Sequence, residues 1–317
     1  MADKTNIEWT DASWTPVRAR SAETGKIGWH CEKVTAGCDN CYAASMNMRL
    51  GTHRPFKPGH HRNGDLSLFL DQKMLMQPLR WRKPRMIFVC SMTDLFADFV
   101  PDEWIDQVFA VMALAPQHTY QVLTKRPARM RAYFARHDDG FMPAETRIEH
   151  RAKRIARERG APIPVGKTLL GTMPFPHVWL GTSAEDQKTA DQRIPHLLDT
   201  PAAVRFVSAE PLLRPIDITP YLFLISHDDE CAINNGVTEI PMHEFLPENE
   251  ISQHRIDWII VGGESGTGAR NMDPDWARSI RDQCADAGVS FFMKQMTRKA
   301  PIPADLLIRQ MPGGLRD

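Results

Sequence analysis

The chain has 317 residues, 42% of them hydrophobic, with 39 basic and 39 acidic side chains and a formal charge of zero. That length can bury a large core in one domain or two, and zero net charge excludes a global field drawing the protein to nucleic acid or an anionic membrane. No apolar run reaches bilayer length, and the polar, acidic start MADKTNIEWTDASW lacks the basic and then apolar course of a signal peptide, so a cytoplasmic protein without membrane contact is expected.

In chain order, the first distinctive stretch is GWHCEKVTAGCDNCYAAS (28–45), a glycine-punctuated loop with Cys31, Cys38 and Cys41, and His30 beside the first. The other three cysteines, Cys90, Cys231 and Cys284, stand apart in sequence and read as small buried apolar residues, not as part of a disulfide framework. RMIFVC (85–90) predicts a buried strand. It runs into SMTDLF, and Pro101 then opens a helix with Trp104, Val108, Val111 and Met112 on one face. The unit recurs: TYQVLT (119–124) into Lys125-Arg126-Pro127, HVWLGT (177–182) into SAEDQ, VRFVS (204–208) into AEPLL, DWIIVGG (257–263) into ESGTGA, and VSFFMK (289–294). Before the last strand, DPDWARSIRDQCADAG predicts a helix with Asp273 as N-cap, Pro274 at its first position and Gly288 as its stop.

Two segments read as charged insertions. Residues 137–176 hold a predicted basic helix (Arg151, Lys153, Arg154, Arg157, Arg159) and then a Pro- and Gly-rich stretch. Residues 226–254 are acidic (Asp228, Asp229, Glu230, Glu239, Glu244, Glu248, Glu250). Solvated surface is the default for such runs.

Apolar strands alternating with helices argue for a parallel sheet covered on both faces, and six or more units argue for an α/β, TIM-like barrel, complete or partial. We expect a single domain over 1–317, with a doubly wound open sheet as the competing architecture. In either, the residues just after the strands line the ligand-binding edge. Here these are Ser91, Thr93 and Asp94; Lys125 and Arg126; Ser183 and Glu185; Ser208 and Glu210; and Gly262, Gly263, Glu264 and Ser265.

Three cysteines this close point to metal. Zinc would take His30 as a fourth ligand in a closed Cys3His site. A four-iron cube closed by a fourth cysteine, with Cys90 as the candidate, would carry electrons, whereas three cysteines would leave one iron open. A catalytic thiol needs one activated cysteine and a base, not a triplet.

The motifs NIEWTDASWTPV, CEKVTAGCDNCYA, CSMTDLF, VLTKRP, VWLGTSAEDQ, RFVSAEPLL, WIIVGGESGTGARNMDPDWARSIRDQC and FFMKQ resemble the phage-associated three-Cys-motif family, of unassigned function, along most of the chain. That family is in turn distantly similar to radical S-adenosylmethionine (SAM) enzymes of the spore photoproduct lyase-like group. The resemblance implies a three-cysteine loop after the first barrel strand (Cys31, Cys38, Cys41), a Thr-Asp pair after the second (Thr93, Asp94) and a Thr-Lys pair after the third (Thr124, Lys125). It implies a 4Fe-4S cluster whose open iron binds SAM, and cleavage to a 5′-deoxyadenosyl radical. Two departures stand out: six residues separate the first two cysteines where radical SAM loops have three, and Asn40 occupies a position that is commonly aromatic, with Tyr42 following instead.

Under this reading Ser91, Thr93 and Asp94 would receive the amino group of SAM and Lys125 its carboxylate. Ser183, Glu185 or Glu210 would hold ribose hydroxyls, and Ser208 is a further cofactor-binding candidate. Gly262 and Gly263 would let backbone approach the ligand, with Glu264 facing it. The implied substrate is nucleic acid, to be modified or repaired, with RWRKPR (80–85) and KRPARMRAYFAR (125–136) as phosphate-binding candidates. A partner protein encoded nearby is also implied. The alternative is a non-enzymatic zinc barrel that binds nucleic acid or a partner protein.

Overall fold

The computed structural model describes residues 5–135, 142–160, 173–222, 255–266 and 268–314. The acidic segment 226–254, Cys231 and most of the Pro- and Gly-rich stretch lie outside these. A seven-stranded sheet forms from β1 (Ala12–Trp14), β5 (Met86–Val89), β6 (Thr119–Thr124), β7 (Val178–Ser183), β8 (Val204–Ala209), β9 (Trp258–Gly262) and β10 (Ser290–Gln295). All neighbours pair in parallel and their spatial order is their chain order. A doubly wound sheet would reverse direction part-way, so the competing architecture is excluded.

The sheet curls around Trp9, which is 1% exposed. Its ring centroid lies 4.7 Å from Phe88 on β5, 6.4 Å from Phe206 on β8 and 6.2 Å from Trp258 on β9. Only a concave sheet brings three strands that far apart in the order within reach of one indole. With Trp179 and Phe292 these rings fill the inside of the curl. The alternate residues Ile87, Val89, Leu180, Val207, Ile259, Val261, Phe291 and Met293 belong to the larger outer core. Burial on both faces is why these strands read as unbroken apolar runs.

The result is a half-barrel, not a closed one. The edge of β10 is covered by the C-terminal segment instead of meeting β1: Met293 N–H donates to Ile308 O at 2.8 Å and Gln310 N–H to Phe291 O at 3.0 Å. Covering an edge with a local segment satisfies its backbone groups as closure would.

The outer layer includes α3 (Asp102–Leu114), α4 (Pro127–Ala135), α5 (Ala144–Glu158), α6 (Gln187–Leu198) and α7 (Pro274–Ala287). The last forms as its sequence predicts: the Asp273 side chain accepts from Asp275 N–H, Pro274 opens the helix and Gly288 ends it at φ 63°. Helix α5, in the segment read as an insertion, keeps its basic face outward but buries Ile148, Ala152 and Ile155 in the outer core. Between β1 and β5 the chain makes a small antiparallel sheet of β2 (Val17–Ser21), β3 (Ile27–Gly28) and β4 (Leu66–Leu70), in the order β3-β2-β4. The cysteine loop leaves β3 and runs into α1 (Tyr42–Leu50), and the short helix α2 (Gln72–Leu75) follows β4. No helix of the described residues is long and apolar enough to cross a membrane.

Candidate functional site

The carboxyl ends of the sheet strands surround a cavity of about 220 Å³. Cys31, Cys38 and Cys41 line it, together with Ser91, Thr93, Asp94, Lys125, Ser183, Ser208, Glu210, Gly263 and Glu264. Chain segments more than two hundred residues apart therefore converge as the strand-end reading predicts. Glu185 and Gly262 are not among the lining residues. Cys90 is buried and also lines the cavity, at φ 57°, where β5 turns into the loop that carries Ser91.

The cysteine loop lies across the strand ends and is tied to them at several points. Thr35 Oγ1 donates to Glu185 Oε1 at 2.9 Å, and Arg193 Nη2 donates to Thr35 Oγ1 at 3.2 Å. Asn40 Nδ2 donates to Glu264 Oε2 at 2.8 Å and to Gly268 O at 3.0 Å. Arg270 Nη2 donates to Ala36 O at 2.7 Å, Arg126 Nη2 to Glu32 O at 3.3 Å, and Thr93 Oγ1 to His30 O at 2.5 Å. Tyr42 OH donates to Ser91 O at 2.8 Å. Ties to the ends of β5, β6, β7 and β9 hold the loop in place through the protein's own polar groups.

Most of the candidate carboxylates turn out to be structural partners. Asp94 accepts from Thr124 Oγ1 at 2.7 Å, Lys125 N–H at 3.0 Å, Phe96 N–H at 3.0 Å and Arg126 Nη1 at 3.1 Å. Glu185 is ion-paired with Lys125 and, at 3.0 Å, with Arg193. Burial raises its carboxyl, but Lys125 and Arg193 outweigh that and hold it below the usual carboxylate range. Glu264 is pushed up by burial and brought down further by Arg270, the Arg270 N–H and Asn40. Glu210 pairs with Lys294 at 2.9 Å and accepts from Ser208 Oγ at 3.1 Å.

The two candidate glycines serve close packing within the protein. A Cβ on Gly262 would sit 2.5 Å from Glu210 Oε1, and one on Gly263 2.6 Å from Thr297 N. The room beside Gly262 is thus taken by the Glu210 carboxylate.

The three thiols are half-buried. Burial, reinforced by Asp94, pushes the Cys31 thiol above its ordinary value, and burial does the same at Cys41 against the pull of the Ala44 and Ala43 N–H groups. Thiols held neutral in this way are poor nucleophiles until a cation displaces their protons, which is how metal binding proceeds. Among the described residues, the one group of three metal-donor side chains whose atoms all lie within 4.8 Å of one another is His30, Glu32 and His61. The three cysteine sulfurs do not form such a group. A tetrahedral zinc with bonds of about 2.3 Å would hold them about 3.8 Å apart. Three thiols lining one cavity are also the donor set of a cube with one iron left open. His30 faces Glu32 and His61, and burial, opposed by Glu32, brings its imidazole down to about 4.

The second basic stretch is largely answered by acids. Arg126 pairs with Asp94, Arg129 with Asp102 at 2.9 Å and Arg131 with Asp199 at 3.3 Å, while Arg85 stacks on Trp81.

Sequence reasoning missed Thr35, Asn40, Arg193, Arg270 and Lys294. Lys294 closes the VSFFMK strand and Arg270 follows ESGTGA, so position after a strand could have flagged both. Arg193 comes from the middle of α6 and carries no such signal.

Residues 4–305 match a family described as a protein of unknown function, DUF5131. The chain belongs to this family. No curated protein and no solved structure matches it.

Proposed function

We propose that this DUF5131 protein is a radical SAM-like enzyme in which Cys31, Cys38 and Cys41 hold a 4Fe-4S cluster at the mouth of the half-barrel. The observation that carries the reading is the convergence of three thiols with the polar strand ends on one cavity. When bound, the cluster would supply the electron that cleaves SAM to methionine and a 5′-deoxyadenosyl radical.

The chain's own residues do the rest. Cys31, Cys38 and Cys41 would hold the cluster's irons as thiolates, giving up their protons as the metal binds. Thr35, Asn40 and Tyr42 fix the loop against the strand ends, so the donors are positioned before metal arrives. Lys125, 19% exposed at its side chain, is the cation for a ligand carboxylate, because Glu185 keeps Arg193 if Lys125 turns away. The hydroxyls of Ser183 and Ser208 line the wall where ribose would lie. Asp94 acts one step back: it holds Thr124, Lys125 N–H and Arg126 and so orients the β6 strand end. The aromatic floor around Trp9 closes the cavity from below with apolar surface.

The test is anaerobic purification with iron, sulfide and zinc assayed together, and the reduced protein's EPR signal recorded with and without SAM. The expected result is iron and sulfide near cube stoichiometry, a signal shifted by SAM, and loss of both in Cys31→Ala, Cys38→Ala or Cys41→Ala. Zinc bound through the cysteines, no iron after reconstitution and no SAM binding would sink the reading.

A further inference from the structure

The loop that carries the cysteines also assembles a second donor set. His30 Nε2 lies 3.8 Å from Glu32 Oε1, and His61 Nδ1 lies 3.3 Å from the same oxygen. A tetrahedral zinc with bonds of about 2.0–2.2 Å to nitrogen and oxygen keeps those ligands about 3.3–3.6 Å apart. Both separations fall within a few tenths of an ångström of that window, and all three donor atoms lie within 4.8 Å of one another. The three residues come from the start of the loop and from the chain beyond α1, so the convergence is tertiary.

A second observation points the same way. His30 is 2% exposed, yet neither of its ring nitrogens has a hydrogen-bond partner, and His61 Nδ1 also lacks one. Phe99 packs against both imidazoles, with ring centroids at 4.9 Å from His30 and 5.4 Å from His61, and Phe56 lies edge-on to His30 at 6.3 Å. An unpartnered polar atom behind aromatic walls is costly, and native proteins rarely leave one without a ligand. Three donors aimed together supply the ligand's chemistry.

We propose that His30, Glu32 and His61 bind a divalent first-row cation, zinc by the nature of the donors, at a site separate from the cysteine thiols. Two imidazoles and a carboxylate favour zinc over magnesium or calcium, and three protein ligands leave one coordination position open. Glu32 already holds Gly59 N–H at 3.0 Å through Oε1, which steadies it for binding. Coordination through His61 Nδ1 requires its Nε2 to give up only a 3.4 Å contact from exposed Arg62 Nε. The ion would join the segment around His30 to the one around His61. Because Glu32 lines the central cavity, the site adjoins it.

The proposal does not depend on the cluster. The full chain and its triple variant C31S/C38S/C41S are loaded with zinc, dialysed, assayed for metal and probed by zinc-edge X-ray absorption. The expected result is about one zinc per chain in both proteins, with a first shell of nitrogen and oxygen only. His61→Ala and Glu32→Gln, each with unchanged circular dichroism, should bind zinc at least about tenfold more weakly in competition with a chromophoric chelator. Zinc affinity kept in both of these variants would overturn the proposal. So would a sulfur-containing shell lost in the triple variant, or no retained zinc in the full chain. If either single variant misfolds, the absorption spectra of the other two proteins still decide.

Discussion

Replacing Glu185 with alanine tests whether the cysteine loop is held by the protein itself. The carboxylate is 2% exposed at its side chain and meets Lys125, Arg193 and Thr35 Oγ1. Removing it leaves Arg193, 6% exposed, with an uncompensated buried charge, for which about 3–5 kcal/mol is the usual cost. Lys125 is 19% exposed and recovers part of its hydration, and Arg193 keeps a 2.8 Å bond to Ser183 O, so the lower end, about 3 kcal/mol, is expected. Urea unfolding of the metal-free protein, followed by tryptophan fluorescence, measures it. Glu185→Gln retains an acceptor for Thr35 but no charge and should fall between wild type and alanine. The double variant E185A/R193M removes both charges and should cost less than the sum of its single variants. A Glu185→Ala protein within about 0.5 kcal/mol of wild type, or a double variant that is simply additive, would refute the buried-pair reasoning.

Gly37→Ala should destabilise by about 1–3 kcal/mol, because its Cβ would lie 2.4 Å from Glu185 Oε1; Gly266→Ala, whose Cβ meets only Asn40 O at 3.6 Å, is the control with an unchanged melting temperature. Trp9→Ala empties the centre of the curl and should cost about 3–5 kcal/mol, with loss of near-ultraviolet circular dichroism; a native spectrum and midpoint would mean the sheet does not close on the indole. For pH, Glu185 and Glu264 both have lowered folded-state values. Their stabilisation is therefore present above the unfolded value of about 4.3 and is lost as pH falls through the folded one. Urea midpoints should already decline as pH falls below about 6.5, where His30, kept neutral by burial, takes a proton only in the unfolded chain, and the further decline below about 4.3 should be shallower in E185Q/E264Q; equal slopes there in both proteins would count against it.

The six strands from β5 to β10 were legible because each is apolar on successive residues and ends in polar ones, the mark of a strand buried on both faces. Strand β1 escaped because three residues carry no periodicity, and the small sheet of β2, β3 and β4 because VRARS alternates with arginine and reads as surface. Closure was not legible either. It depends on whether β10 meets β1 or the C-terminal segment, a tertiary choice with no local signature. At the site, strand-end position found the residues that converge, but it could not say which carboxylates face ligand and which face arginine. Arg193 reaches Glu185 from a helix, and Asn40 reaches Glu264 across more than two hundred residues. His61 gave no signal, because a histidine in the loop beyond α1 gains meaning only once His30 and Glu32 lie beside it.

The pairing of charges around the cavity ranks the cations that an incoming ligand can recruit. Asp94, Glu185, Glu210 and Glu264 each have a basic partner, so a ligand carboxylate must take a lysine or arginine away from an existing pair. Withdrawing Lys294 leaves Glu210 without a cation among the described residues, and its carboxylate is buried enough for that to be costly. Withdrawing Lys125 leaves Glu185 with Arg193 at 3.0 Å and with the Thr35 hydroxyl. Arg126 and Arg270 are held by several bonds each, to Asp94 and Glu32 O in one case and to Glu264 and Ala36 O in the other. Lys125 is thus the cation released at least cost. Lys125→Met should weaken SAM binding, measured by calorimetry, by more than tenfold while shifting the urea midpoint little. Equal affinity in wild type and Lys125→Met would place the ligand carboxylate elsewhere, with Lys294 the next to test.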